Sequence, residues 1–178
     1  MKPIALIFCV FVMAGPALAG PALAADIIPP AARQVWQDFT NERFGASAKV
    51  PTVGFTAEAP PANGDGQAWT GQDGTVRIAV YGSYWTVFET DFPGFRDKLR
   101  EFLIEDGVTL ESEQTGDTEF GFAGTLPDGR KFRDRTVIVP GCDIAAHTHI
   151  EYPAAQAPVM DAIANEVTES LVIADGYC

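Results

Sequence analysis

Apolar positions recur along this chain with two periods, and the switches between them mark its elements. Val35, Trp36 and Phe39 share a face at helical spacing after Pro29-Pro30, and Gly45 follows, so the pattern predicts a helix over residues 29–43. Residues 49–57 read as a strand, and a Pro- and Gly-rich loop follows at residues 59–66. Residues 68–70 and 75–81, joined by Gly71-Gln72-Asp73-Gly74, read as a hairpin with Val76, Ile78 and Val80 on one side. Thr90-Asp91 with Pro93 caps a clear amphipathic helix. Its Phe92, Phe95, Leu99, Phe102 and Leu103 oppose Arg96, Asp97, Arg100 and Glu101, and Gly107 ends it. Strands are expected at residues 108–113, 118–125, 131–139 and 145–152, with Pro127-Asp128-Gly129 turning the second into the third. A last helix begins at Pro158, with Val159, Ile163, Val167 and Leu171 repeating every four residues. Runs of strands separated by single helices predict an α+β fold: a largely antiparallel sheet of about six or seven strands covered by helices.

The N-terminus follows a different logic. Lys2, an apolar run from Ile4 to Met13, and the small-residue sequence Ala22-Leu23-Ala24 have the layout of a secretory signal peptide. We expect residues 1–24 to be removed and residues 25–178 to form one domain in the periplasm, or outside the cell. No later apolar run is long enough to span a bilayer, which takes about 20 residues. Processing discards Cys9 and leaves Cys142 and Cys178. Two cysteines in an exported chain are expected to pair. The bridge would close a loop of about 37 residues and contribute roughly 4 kcal/mol in the chain-entropy model.

Composition narrows the function. The 178 residues carry 24 acidic and 12 basic side chains, a net charge of −12. Nucleic-acid binding needs a basic face, so that class is excluded. No G-x-S-x-G elbow, phosphate loop, dinucleotide fingerprint or C-x-x-C motif is present.

Several short stretches carry a resemblance. They are Asn41-Glu42-Arg43-Phe44-Gly45, the Asn63-Gly64-Asp65-Gly66 loop, and Ile150-Glu151-Tyr152-Pro153 before the last helix. Together they resemble a group of exported proteobacterial proteins of unassigned function. The element order is more distantly similar to the α/β/α sandwich of PsbP-type photosystem subunits and of the Mog family of Ran-binding proteins. That resemblance implies partner binding rather than catalysis, and it carries over no functional residue.

Two constellations remain as candidate sites. His147, His149 and Glu151 alternate along one strand and so share a face, about 6.5–7 Å apart in succession. They are a possible set for zinc or another divalent metal. The simpler expectation puts them on the solvent face, with Ile144, Ala146, Thr148, Ile150 and Tyr152 on the core side. Arg130, Lys131, Arg133 and Arg135 gather a third of the chain's basic charge within six positions. They could dock a protein or a small anionic ligand, unless Glu111, Glu113 or Glu119 pair with them across the sheet. The Asn63-Gly64-Asp65-Gly66-Gln67 loop is expected to be a tight turn rather than a calcium loop. The expected function is a non-catalytic binding or interaction module. A small metal-binding protein or metal-dependent enzyme is the first alternative, and a secreted inhibitor or envelope accessory protein the second.

Overall fold

The computed structural model describes residues 28–178, so the expected signal peptide lies outside the described residues. After a single 3-10 turn at Ala31–Arg33, the chain forms β1 (Trp36–Thr40), β2 (Ala46–Pro51), β3 (Phe55–Ala57), β4 (Gly66–Gly71) and β5 (Arg77–Tyr84). Then come α1 (Phe92–Glu105), β6 (Thr109–Thr115), β7 (Glu119–Thr125), β8 (Arg130–Ile138) and β9 (Ile144–Pro153). α2 (Ala157–Glu169) and the short β10 (Val172–Ile173) close the chain. A seven-stranded sheet runs in the order β3-β4-β5-β9-β8-β7-β6, and a three-stranded sheet in the order β1-β2-β10. Every pairing is antiparallel. The expected α+β class and largely antiparallel sheet hold. No helix among the described residues is long and apolar enough to cross a membrane.

The expected N-terminal helix does not form. Residues 36–40 are strand β1, paired with β2 through a turn at residues 41–45. The Asn41 side-chain oxygen accepts hydrogen bonds from the backbone N–H of Arg43 and Phe44, which closes the turn. Gly45 completes it at φ +67°, with Tyr177 packed where a Cβ would stand. The glycine that looked like a helix stop is a hairpin glycine. The expected strand at residues 49–57 also divides. β2 ends at Pro51, Gly54 turns at φ +83°, and β3 joins the other sheet.

α1 matches its sequence signals closely. The Asp91 carboxylate accepts from the Gly94 N–H at 2.9 Å as N-cap, and Pro93 sits in the first turn. Its Phe92 and Phe95 pack on Phe120, Phe122 and Phe132. α2 covers the opposite face of the large sheet, where Met160, Ile163, Ala164 and Val167 meet Ile78, Ile150 and Tyr152. The small sheet packs beside α2, bringing Ala46, Ala48 and Val50 against Val80 and Ala146. Cys142 and Cys178 are disulfide-bonded, which ties the end of the chain to the loop before β9.

Candidate functional site

Each helix covers only part of its face, and a depression opens on each face. The floors come from small residues placed by strand alternation. On β7, Phe120 and Phe122 point toward α1, so Gly121 and Ala123 point to the α2 face. On that face Ser112, Ala123, Arg133 and Ile150 stand in one cross-strand row, and Gln114, Gly121, Arg135 and Thr148 in the next. On the α1 face the corresponding row is Ala68, Ala79, His149, Asp134 and Phe122. Ala68 and Ala79 floor a depression of about 480 Å³ walled by Glu58, Asp65, Arg77, Tyr81 and His149.

The histidine strand departs from its expected setting. Residues 147, 149 and 151 share a face, but it is the face beneath α1 and Tyr81, not open solvent. His147 is 4% exposed. The Tyr81 ring stacks on it at 4.8 Å, and Phe95 lies 6.2 Å away. Its Nε2 bonds Ser83 Oγ at 2.8 Å and its Nδ1 bonds Thr136 Oγ1 at 2.9 Å. Burial pushes its pKa down to about 4, so the ring is neutral.

His149 is the opposite case. Burial alone would lower its pKa, but bonds to two carboxylates outweigh that and push it up to about 10. Its Nδ1 donates to Asp134 at 2.6 Å and its Nε2 to Glu151 at 2.7 Å. The His149 hydrogen bond in turn holds the Glu151 carboxyl below its usual range. Glu151 also pairs with Arg130, and Arg130 Nε donates to Asp128 at 2.7 Å. The result is a line of alternating charges, Asp134–His149–Glu151–Arg130–Asp128. An imidazolium bonded at both nitrogens has no lone pair for a metal. Among the described residues no group of histidines, cysteines and acids has the geometry to hold an ion. In this structure the ring nitrogens of His147 and His149 and the Glu151 carboxylate are all bonded to other side chains of the chain.

The four clustered cations separate. Arg130 lies on the α1 face within that line. Lys131, Arg133 and Arg135 lie on the α2 face, as alternate residues of β8. Lys131 pairs with Glu111 at 2.6 Å. Arg135 pairs with Glu119, and its Nη1 donates to the Thr168 carbonyl at 2.7 Å, capping the end of α2. The expected cross-strand pairing with Glu111 and Glu119 therefore occupies two of the cluster. Glu113 instead turns to Arg100 on α1, at 3.0 Å.

Arg133 is left without an ion partner among the described residues, and its Nε is buried with no hydrogen bond. Leaving a buried donor unmade costs about 1–3 kcal/mol. Arg133 lines a depression of about 340 Å³ between β6–β8 and the second half of α2, with Ser112, Gln114, Asn165 and Glu169. The cause lies in β6. A bulge between Leu110 and Ser112 inserts Glu111 as an extra residue. Without it Glu111 would stand opposite Ala123, in the same row as Arg133. With it, Ser112 takes that place and Glu111 reaches Lys131 instead.

Pattern and composition marked the cluster but could not single out Arg133, because the bulge decides which glutamates reach which cations. The other sequence candidates are structural. Asn41 and Arg43 donate to the carbonyls of Gly64 and Asn63 at 2.9 and 2.8 Å, so the Asn41–Gly45 turn holds the Asn63–Gly66 loop. Trp85 and Phe88 pack against the α1 cluster, whereas Tyr81 and Tyr84 keep 37% and 49% exposure.

No protein-family model matches the chain, and no curated protein does. Solved structures share its fold. The solution structure of cyanobacterial PsbP (CyanoP) from Synechocystis superposes with a TM-score of 0.58 at 8% identity, covering 78% of this chain and 92% of that one. The crystal structure of the Saccharomyces cerevisiae Ran-binding protein Mog1p gives 0.53 at 13% identity, covering 79% and 96%. The fold is PsbP/Mog-like, and at such identities the likeness speaks for the fold alone.

Proposed function

We propose that this chain is an exported, non-catalytic interaction module that docks an acidic protein partner on the open α2 face of β6–β8. The observation that carries the reading is the unpaired Arg133 guanidinium over the Gly121–Ala123 floor. In a chain of net charge −12, a cation held half-buried without a counter-ion is costly unless a partner supplies one. The fold neighbour Mog1p is by name a Ran-binding protein, in keeping with a docking role for this architecture. Placement in the periplasm rests on the N-terminal signal pattern and the cysteine pair.

The titratable groups favour binding over catalysis. His149 is held as an imidazolium between two carboxylates and has no free nitrogen to accept a proton. His147 has a hydroxyl at each nitrogen and lies beneath Tyr81 and Phe95.

The test is photo-crosslinking from position 114 in the periplasm of the native cell, followed by affinity measurement with the partner recovered. Arg133→Glu should weaken that complex at least tenfold, while Arg33→Glu, the same charge change away from the groove, should leave it intact. Equal affinity for Arg133→Glu and the parent protein would remove the reading.

A further inference from the structure

The α2-face depression has more definition than a general docking surface, and resting on the docking reading above, we infer that it is a subsite for one carboxylate: a single glutamate or aspartate side chain of the partner. Three observations converge. The guanidinium of Arg133 has no ion partner, and a planar fork of donors matches a carboxylate in two parallel hydrogen bonds. Ser112, Gln114 and Asn165 line the same depression, and none of their side chains is hydrogen-bonded to a described residue. These are neutral groups able to donate to a second oxygen. The walls are also fixed: Arg135 ties β8 to the Thr168 carbonyl on α2 and to Glu119 on β7, so the gap does not depend on a mobile segment.

Charge bookkeeping selects the ligand class. Arg135 is matched by Glu119, which leaves Arg133 as the one cation of the depression outside an ion pair, with the Glu169 carboxylate farther along the same lining. A carboxylate balances that cation. A phosphate dianion would carry a second negative charge toward Glu119 and Glu169, which line the same depression. A free small acid would meet the same donors, but one exposed fork repays little of the rotational and translational freedom lost on binding. An acidic side chain delivered by a docked partner avoids most of that loss.

The experiment follows the Arg133 Nε–Hε and Asn165 side-chain amide signals by NMR. The probe is blocked glutamate (N-acetyl, C-terminal amide) at millimolar concentration, with blocked glutamine and inorganic phosphate as the other arms. A saturable shift of both signals with blocked glutamate alone, weakened by added salt, is expected. Arg133→Lys keeps the charge but loses the fork, and should weaken the Asn165 response several-fold. Glu169→Gln removes a repelling neighbour and should strengthen it. Three results would overturn the subsite: no shift, an equal shift with blocked glutamine, or a stronger one with phosphate. In each case the docking reading stands if Arg133→Glu still abolishes the partner complex. If Arg133→Glu leaves the complex intact, docking at this face fails even where blocked glutamate binds.

Discussion

The two depressions are built alike and end in opposite electrostatic states. Both lie where a helix stops short of its sheet face, and both have floors of alanine or glycine set by strand alternation. On the α1 face the charges around His149 are answered within the protein, in the line Asp134–His149–Glu151–Arg130–Asp128. On the α2 face the cation Arg133 is unanswered. The first arrangement pairs its charges internally, and the second leaves a cation without a partner. A cluster of like residues in sequence is therefore a poor unit of function, because Arg130 belongs to the first system and Arg133 to the second.

The largest expected effect concerns the segment that follows α2. The disulfide holds the tail that follows α2 and β10. Cys178→Ser should lower unfolding free energy by about 4 kcal/mol in the chain-entropy model. Hydrogen exchange should show the loss first in β10 and the end of α2, not in α1. Loss spread evenly over both helices would mean that the two faces are not separable.

His149→Leu comes next. It strips Asp134 and Glu151 of their shared cation while both stay largely covered, with side chains 21% and 19% exposed. Breaking such a set should cost about 3 kcal/mol by urea unfolding near pH 6. A cost below 1 kcal/mol would show that the line is screened by water and contributes little.

That line was only partly legible in the sequence. Alternation placed His147, His149 and Glu151 on one face, and that placement holds. It could not show that the face is covered, since the cover comes from Tyr81 on β5 and Phe95 on α1, and β5 lies next to β9 only through a long-range pairing. Local signals fared best where local chemistry decides: the Asp91 cap, the Pro127-Asp128-Gly129 turn and the β4–β5 hairpin. The N-terminal helix failed for a related reason. Val35, Trp36 and Phe39 fit a helical face, but β-prone residues followed by an Asn41–Gly45 turn pair as a hairpin once β2 is available.

The pH profile should separate the two faces further. His149 has a folded pKa of about 10, raised above its ordinary value near 6.5. Its stabilisation is therefore complete below about pH 6.5 and is lost as pH rises through 10. Glu151 is lowered, so its share is present above its ordinary range and is lost as pH falls through the lowered value. We expect unfolding free energy to fall by a few kcal/mol between pH 6.5 and pH 10. His149→Gln should flatten that limb and Arg133→Met should not. A parallel decline in His149→Gln would assign the limb to other groups.

The α2 face makes the reverse prediction for stability. Arg133→Met keeps most of the aliphatic stem and removes a buried donor that no described residue satisfies. Unfolding free energy should stay level or rise by up to about 1 kcal/mol, while the partner complex weakens. A loss above 1 kcal/mol would show that Arg133 already has a stabilising role in the free protein.

The smallest effect is the most specific. Ser112 stands in the Arg133 row only because the β6 bulge displaced Glu111 from it. Ser112→Glu should return a carboxylate to that row and let it reach the free guanidinium across Ala123. A partly exposed pair of this kind is worth about 0.5 kcal/mol, so the midpoint of urea unfolding should rise slightly with an unchanged slope. The same glutamate would fill the proposed subsite from within, so binding of the partner should fall as far as it does in Arg133→Glu. A variant that is more stable yet no longer binds would tie the unpaired charge to recognition, because one substitution would have exchanged the second property for the first. Full binding by Ser112→Glu, with the Arg133 Nε–Hε signal shifted by the new pair, would place the partner elsewhere on the molecule.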